Sequence, residues 1–421
     1  MLRSSIPPRT IVCFSSIRWN FLYQRPQHLL TRFAAAGMQV IYIESKGTGE
    51  GEGVSFEKEV CNGVQIVRPL LPRHLADEDY ISRMRILLDE LLGAGGAEEA
   101  IFWYYNPAAI RYSDHLSPAL TVYDCIGDPE ALPGAHANIA KLERHLMDRA
   151  DVLFTTSTAL MKSRRRFNIN IHVFPNSIDR DHFAQARCKD ANEPEDQKVI
   201  PHPRLGFYGM INENIDRQLL EQIADLRPEW HFVFIGPIVP GNEEALPKRK
   251  NIHYLGAKSY EALPCYLCGW DLALVPLKED QQTKRLLPAK VPEYLAAGVR
   301  VIATPLEEIV THYGRKGLVQ VISGVEVFAN VAQSLLDDSG AEKASWLRQV
   351  DAELSGNSWD KTFAAMQVEL ESALRQKRPA RKGVRRVGTA LVQILKGTSA
   401  LMKIPGNKMS GKEAGIVPPE V

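Results

Sequence analysis

The chain has 421 residues and a mass of 47.1 kDa, a length that predicts two or three domains. Hydrophobic residues make up 45% and charged residues 24%, which excludes a wholly disordered, collagen-like or polytopic membrane protein. The net charge of +1 does not favour nucleic acid as a partner, but the charge is unevenly distributed. Residues 377–421 carry ten Lys and Arg against two Glu, a net +8 that leaves −7 on the rest of the chain.

Apolar runs alternate with helical stretches over residues 1–184. In the helix predicted over Gln24–Ala36, Pro26 fits the first turn and Gly37 the C-terminal cap. Continuous apolar strands between helices predict a parallel sheet that is covered on both faces. The predicted strands are Thr10–Ser15, Met38–Glu44, Val64–Val67, Ala100–Tyr105, Leu120–Tyr123, Val152–Thr155 and His172–Phe174, with further helices over Tyr80–Leu92 and Ala137–Ala150.

A charged segment, residues 185–200, is predicted to link this unit to a second one over residues 201–358. Helices are expected at Ile215–Leu226, Tyr260–Leu267, Val291–Ala297 and Trp359–Arg375. The predicted strands are Leu205–Tyr208, Trp230–Ile235, Ile252–Leu255, Leu272–Pro276, Arg300–Ala303 and Leu318–Ile322. The expected architecture is α/β, with two doubly wound, Rossmann-like domains facing a cleft, a body helix over 359–376 and a basic tail over 377–421.

Common nucleotide-binding and hydrolase motifs are absent from the sequence. No G-x-G-x-x-G follows the first strand, and no G-x-x-x-x-G-K-[ST], H-E-x-x-H or G-x-S-x-G occurs. The second half instead offers Pro292-Glu293 at the start of a helix. A first-turn carboxylate either complements the helix dipole or accepts the hydroxyls of a ribose bound at the strand edge.

Other candidate site residues follow predicted strands, and each has a structural alternative. Gly209 and Gly236 allow the backbone to approach a diphosphate, or they simply form tight turns. Arg25 is expected to pair with an anionic ligand or with a nearby acid. Asp124 and Asp128 should face the cleft, where an aspartate acts as a general base or belongs to an ordinary turn.

The order and spacing of several short motifs resemble those of bacterial glycosyltransferases with the GT-B fold, in the retaining family-four-like group. Within this group, the chain resembles most the branch that makes exopolysaccharide or teichuronic-acid-type polymers. The resemblance runs from about Ile11 to about Met366. Its motifs are Trp19-x4-Gln24-Arg25-Pro26-Gln27-His28-Leu29, Tyr123-Asp124, Pro175-Asn176-Ser177-Ile178-Asp179, Tyr208-Gly209, Ile235-Gly236-Pro237 and Pro288-x-Lys290-x2-Glu293-Tyr294-Leu295-Ala296-Ala297-Gly298.

This resemblance implies a nucleotide-sugar donor in the second domain and a glycan or lipid-linked acceptor in the first. The implied donor residues are Gly209, Gly236, Lys290, Glu293 and Tyr294, with Glu293 on the ribose and Lys290 on the diphosphate. The implied acceptor-side residues are Trp19, Gln24 and Asp128, and the implied catalytic pair is Asp124 and Arg25. No metal or other cofactor is expected, because basic side chains and helix N-termini can neutralise the leaving diphosphate.

One position departs from the family pattern. Arg285 stands where the family usually carries a second Glu, eight residues before the ribose-binding one. This departure puts the identity of the donor sugar in question and keeps a catalytically inactive, nucleotide-sugar-binding protein as an alternative. A nucleotide-sugar epimerase of the same fold is the other alternative.

Two further features bear on location and redox chemistry. No signal peptide and no long apolar span is apparent, so we expect a cytoplasmic protein. Residues 383–404 of the tail form a basic amphipathic pattern that favours an anionic membrane surface, with a disordered tail or a protein contact as alternatives. Cys265 and Cys268 lie one helical turn apart, which favours a structural role over a redox or zinc site.

Overall fold

A computed structural model describes the protein over residues 8–44, 47–48, 55–72, 75–131, 136–188, 192–239, 241–242, 246–280, 283, 290–338 and 340–377. The chain divides into two compact units, Met1–Leu370 and Glu371–Val421. The second unit is described only over residues 371–377, which are helical. The predictions for the basic tail and for Arg285 therefore lie outside the described residues.

The first sheet of the large unit is built mainly from parallel strands, in the order β3-β5-β2-β1-β6-β7-β8-β9. Strand β4 adds to its edge by antiparallel pairing with β5, joined to it through Asn62 and Gly63. The central strands are buried along their whole length, as their apolar runs predict. Its strands are β1 (Thr10–Phe14), β2 (Gln39–Ile43), β3 (Gly47–Thr48), β4 (Ser55–Cys61), β5 (Val64–Leu71), β6 (Ala100–Tyr104), β7 (Leu120–Cys125), β8 (Val152–Thr155) and β9 (Ile171–Val173).

The second sheet is parallel throughout its described strands, in the order β12-β11-β10-β13-β14-β15. Gly206 lies in the middle of β10 because a side chain there would overlap the ring of Trp270. Its strands are β10 (Arg204–Tyr208), β11 (His231–Ile235), β12 (Ile252–Tyr254), β13 (Leu272–Val275), β14 (Arg300–Ala303) and β15 (Val319–Val321).

Helices cover both sheets and connect their strands. The connection between the two sheets is partly helical and packs inward, since Gln197 of this segment is fully buried and bonds Trp270. The helices are α1 (Arg25–Ala35), α2 (Asp77–Leu92), α3 (Ile110–Ser113), α4 (Ile139–Arg149), α5 (Thr158–Arg164), α6 (Arg180–Ala184), α7 (Glu195–Lys198), α8 (Arg217–Leu226), α9 (Leu263–Leu267), α10 (Lys290–Ala296), α11 (Glu307–His312), α12 (Val325–Leu336), α13 (Ala341–Leu354) and α14 (residues 359–370).

The α/β architecture predicted from the sequence is confirmed, with strand bounds that differ from the predicted ones by a few residues. The elements that were not predicted include the antiparallel strand β4, the long helices α12 and α13, and several short elements such as β3, α5 and α11. The boundaries predicted for the two domains and their linker remain predictions. The Cys268 thiol donates to the carbonyl of Cys265, as expected for neighbours on one helical turn.

Candidate active site

A cavity of about 340 Å³ lies between the two sheets of the large unit. It opens where strands β1, β10 and β11 end, the edge at which parallel α/β sheets bind ligands. One wall comes from the first half of the chain and the other from the second half. The lining residues are Trp19, Asn20, Phe21, Leu22, Tyr23, Cys61, Asn62, Tyr208, Gly209, Ile235, Gly236, Lys258, Ser259, Tyr260, Glu261, Leu263, Lys290 and Glu293.

The floor of the cavity contains the two glycines predicted to face a diphosphate. Gly209 and Gly236 have φ values of 145° and 143°, which side-chain-bearing residues rarely adopt. A side chain on Gly236 would overlap the carbonyl of Gly209, so the two turns pack directly on each other. Their N–H groups donate to the carbonyls of Ile235 and Gly256, so these glycines provide close approach rather than free donors.

Glu293 is buried at the base of the cavity in the first turn of α10. The hydroxyl of Tyr208 donates a hydrogen bond to its Oε2 atom. Lys290 Nζ lies 3.7 Å from the same oxygen and 4.8 Å from the centre of the Tyr208 ring. A carboxylate and an ammonium group thus converge beside the two glycine turns, a combination suited to a ribose and a diphosphate.

Tyr294 was predicted to bind the donor, but it does not line the cavity. Its side chain is fully buried, and its hydroxyl accepts a hydrogen bond of 3.0 Å from the backbone N–H of Tyr208. Burial also raises the pKa of Tyr294 above its ordinary value. Because the residue follows the cavity-facing Glu293 on a helix, its side chain turns inward to brace strand β10.

Arg25 and Asp124 form a buried ion pair rather than lining the cavity. Arg25 Nε and one terminal nitrogen both donate to the Asp124 carboxylate at 2.9 Å, and neither side chain is more than 3% exposed. A third nitrogen of Arg25 bonds the carbonyl of Phe174. Arg25 was expected to pair either with an anionic ligand or with a nearby acid, and in the structure it pairs with the acid Asp124. The expected cleft-facing position of Asp124 is wrong, because the carboxylate is sealed beneath α1 and satisfied by Arg25.

The acceptor-side candidates have different positions. Trp19 lines the cavity, and its backbone N–H donates to Glu44 at 2.6 Å. Gln24 caps α1 and does not line the cavity. Asp128 is exposed outside the cavity, where its carboxylate accepts from the N–H of Glu130 in a local turn. Of the two roles considered for Asp128, general base or ordinary turn residue, the structure therefore supports the turn residue.

Sequence reasoning missed an aromatic stack beside the cavity. Tyr260 lies between Tyr23, with ring centres 4.4 Å apart, and His182, at 4.3 Å. His28 contacts the same Tyr260 ring edge-on and stacks on Trp359 at 4.6 Å. These rings come from segments far apart in the sequence, so no local pattern could have identified them.

The tip of the β4–β5 hairpin was also missed. Cys61 and Asn62 line the cavity, and the turn has positive φ at both Asn62 and Gly63. An Asn-Gly pair is the usual signal for such a turn, so the sequence did carry a clue. Within the part of the chain that the structure describes, no cluster of three or more His, Cys, Asp or Glu is arranged to hold a metal ion.

Comparison with known proteins relates this chain to glycosyltransferases. Residues 202–338 match the family described as glycosyl transferases group 1. A Bacillus subtilis (strain 168) protein named for a teichuronic acid biosynthesis glycosyltransferase, TuaH, is 26% identical over 313 residues, 66% of this chain and 76% of TuaH. The chain has the GT-B fold and a glycosyl transferases group 1 domain, and these matches support a glycosyltransferase role. These matches support a role in polysaccharide biosynthesis.

Solved structures of other glycosyltransferases share this fold at low sequence identity. Sucrose-phosphate synthase from Thermosynechococcus elongatus superposes with a TM-score of 0.66 at 14% identity, covering 87% of this chain and all of that one. Anabaena Alr3699/HepE, solved with UDP and glucose, gives 0.61 at 11% identity over 86% of this chain and 99% of its own. The group 1 match covers Tyr208, Gly209, Lys290 and Glu293, the second-half residues around the cavity.

Within the described residues, no helix is both long and apolar enough to cross a membrane.

Proposed function

We propose that this glycosyltransferase transfers a hexose from a nucleoside-diphosphate sugar to a glycan or lipid-linked acceptor in cell-surface polysaccharide synthesis. The observation that carries the proposal is the convergence of Glu293, Lys290 and two glycine turns on one cavity at the strand ends. Glu293 binds the ribose hydroxyls, Lys290 neutralises the diphosphate, and Gly209 and Gly236 let these groups approach the backbone.

The acceptor occupies the opposite wall in this proposal. That wall consists of the Trp19–Tyr23 loop and the Asn62 tip of the hairpin. In this loop the ring of Phe21 is 43% exposed and offers a flat apolar surface, which suits the apolar face of a sugar. The buried Arg25–Asp124 pair supports this wall from below by fixing the start of α1.

The chemistry requires little beyond positioning and electrostatic stabilisation. As the sugar–phosphate bond breaks, negative charge grows on the departing diphosphate, and the Lys290 ammonium group stabilises it. We propose that the reaction needs no metal and retains the configuration of the sugar, in line with the family resemblance. Bound donor and acceptor together would exclude water from the cavity, which limits hydrolysis of the donor.

A transfer assay with labelled nucleotide sugars and lipid-linked or free glycans tests the proposal. We expect label to move to an acceptor, with activity retained after dialysis against EDTA and with an unchanged anomeric configuration in the NMR spectrum of the product. Interconversion of sugars without transfer would instead identify an epimerase. Activity that EDTA abolishes and Mg²⁺ or Mn²⁺ restores would contradict the metal-free reaction.

We further propose that the basic tail brings the enzyme to the inner face of the plasma membrane. The support is the sequence of residues 383–404, where Arg385, Arg386, Lys396 and Lys403 accompany apolar residues at helical spacing. Deletion of residues 377–421 should abolish co-sedimentation with anionic vesicles and leave nucleotide binding intact. Full-length protein that stays in the supernatant at low salt would contradict this proposal.

A further inference from the structure

Tyr208 lines the cavity on the side formed by the second half of the chain, here called the donor wall, and is the last residue of strand β10. Its side chain is buried, and its hydroxyl donates to Glu293 Oε2. The ring packs edge-on against Tyr294, with centres 5.2 Å apart and planes 88° apart. A parallel contact with Phe183 at 6.3 Å confines it from another side. The hydroxyl therefore has little freedom to point elsewhere.

The hydroxyl of Tyr208 keeps its proton over any working pH. Burial, followed by the nearby Glu293 carboxylate, raises its pKa well above the ordinary value. A phenol has a single proton to donate, and here it is committed to Oε2. The Lys290 ammonium group also lies on the Oε2 side of the carboxylate.

The other carboxylate oxygen, Oε1 of Glu293, forms no hydrogen bond within the described residues. Glu293 nevertheless lines the cavity, so this oxygen is the acceptor left for a ligand. A carboxylate with one oxygen fixed and the other free binds hydroxyl groups with less loss of side-chain entropy than a freely rotating one.

We propose that Tyr208 is a positioning residue that clamps Glu293 Oε2, so that Oε1 faces the hydroxyl pair of a nucleotide ribose. This inference rests on the proposed function.

The experiment compares Tyr208→Phe with wild type by calorimetric titration. The probes are UDP, ADP, GDP and CDP and their 2′,3′-dideoxy counterparts. Tyr266→Phe is the matched control, because it removes a buried phenol that donates to a different carboxylate, Asp196, outside the cavity. We expect Tyr208→Phe to weaken the ribonucleotide about tenfold, with little change for the dideoxy form.

Selectivity for the ribose hydroxyls separates positioning from a general structural effect. Equal weakening of both nucleotide forms, or no weakening of either, would overturn the inference while leaving the proposed function in place. A wild-type protein that binds none of these nucleoside diphosphates would overturn both. In a Glu293→Gln background, Tyr208→Phe should have no further effect, because its action passes through the carboxylate.

A second substitution covers the case in which Tyr208→Phe fails to fold. Replacing Tyr208 by 4-fluorophenylalanine keeps the ring and fills the volume of the hydroxyl, but it provides no proton to donate. The same loss of ribose selectivity is expected. Wild-type selectivity in this variant would overturn the inference.

Discussion

Two buried acidic residues of the large unit show how their surroundings decide what a carboxylate does. Asp124 is completely enclosed and is satisfied by two hydrogen-bonding nitrogens of Arg25. Glu293 is also buried, but it borders a cavity and leaves Oε1 without a protein partner among the described residues. The sequence places Asp124 after a predicted strand and Glu293 in the first turn of a predicted helix, and either could bind a ligand there. Only the tertiary partners distinguish them.

Glu293→Gln should weaken nucleoside-diphosphate binding more than it weakens folding. Loss of a charge-assisted contact to the ribose is expected to cost about 1.5–3 kcal/mol of binding free energy. Calorimetric titration of the folded variant measures this. Glu308→Gln is the control, since Glu308 is also a first-turn glutamate, on the separate helix α11. Unchanged affinity in Glu293→Gln would remove Glu293 from the donor site.

Asp124→Asn should destabilise the protein by about 3–5 kcal/mol, because it leaves the Arg25 charge buried without its counter-ion. The control is Asp77→Asn, which breaks an exposed pair with Arg111 and should cost at most about 1 kcal/mol. Urea denaturation measures both. A stable Asp124→Asn variant that has lost transfer activity would instead favour the catalytic role that the family resemblance implies.

Among the secondary-structure elements, strands were predicted correctly where both of their faces are buried. Strands such as β6 and β7 are buried throughout, and their apolar runs stand out in the sequence. Strand β4 was not predicted, because it is an edge strand that exposes most of its residues and its charged side chains interrupt the apolar pattern. Its partner strand and its Asn-Gly turn were the only clues available.

Contacts across the cavity could not be derived from the sequence at all. The ring of Tyr260 meets Tyr23 and His182 across sequence separations that no periodicity reports. The predicted position beside the cavity is therefore right where a motif fixes a glycine at a strand end or a carboxylate in the first turn of a helix, as for Gly209, Gly236 and Glu293. They were misplaced where the side-chain direction depends on packing, as for Tyr294 and Asp124.

The turn after β11 provides a test at this scale. Gly236→Ala forces a side chain into the carbonyl of Gly209 at an unfavourable φ. We expect the free energy of unfolding to fall by at least about 1 kcal/mol and nucleotide affinity to fall with it. Gly356→Ala is the control, because no atom lies within 4 Å of the added group and its φ is not positive. Wild-type affinity in Gly236→Ala would show that the turn is not part of the donor site.

Across the whole large unit, His28 links distant parts of the chain. It extends from α1 to Trp359 in α14 and to Tyr260 in the second half. Burial lowers the pKa of His28 well below its ordinary value, and the nearby Arg32, Lys290 and His182 lower it further. The side chain is therefore neutral in the folded protein at pH values where it is already protonated in the unfolded chain.

This difference predicts how stability depends on pH. Below about pH 6.5 the unfolded chain binds a proton that folded His28 does not, so the free energy of unfolding falls as the pH decreases. His28→Phe keeps a ring in the stack and should reduce this slope between pH 7 and 5. Urea titrations at several pH values measure it. His145→Phe, at an exposed position, should leave the slope unchanged.

The hairpin of β4 and β5 has a consequence for how such enzymes diversify. Its tip meets the proposed acceptor, while its base is fixed by pairing between Ser55–Cys61 and Val64–Leu70. Because neighbouring residues of a strand point to opposite faces, adding one residue to each strand would exchange the faces at the tip, whereas adding two would restore them. The proposed acceptor wall can therefore change in discrete steps, through matched insertions far from Glu293, while the proposed donor wall stays intact. Natural variation in hairpin length should then follow the acceptor and not the nucleotide.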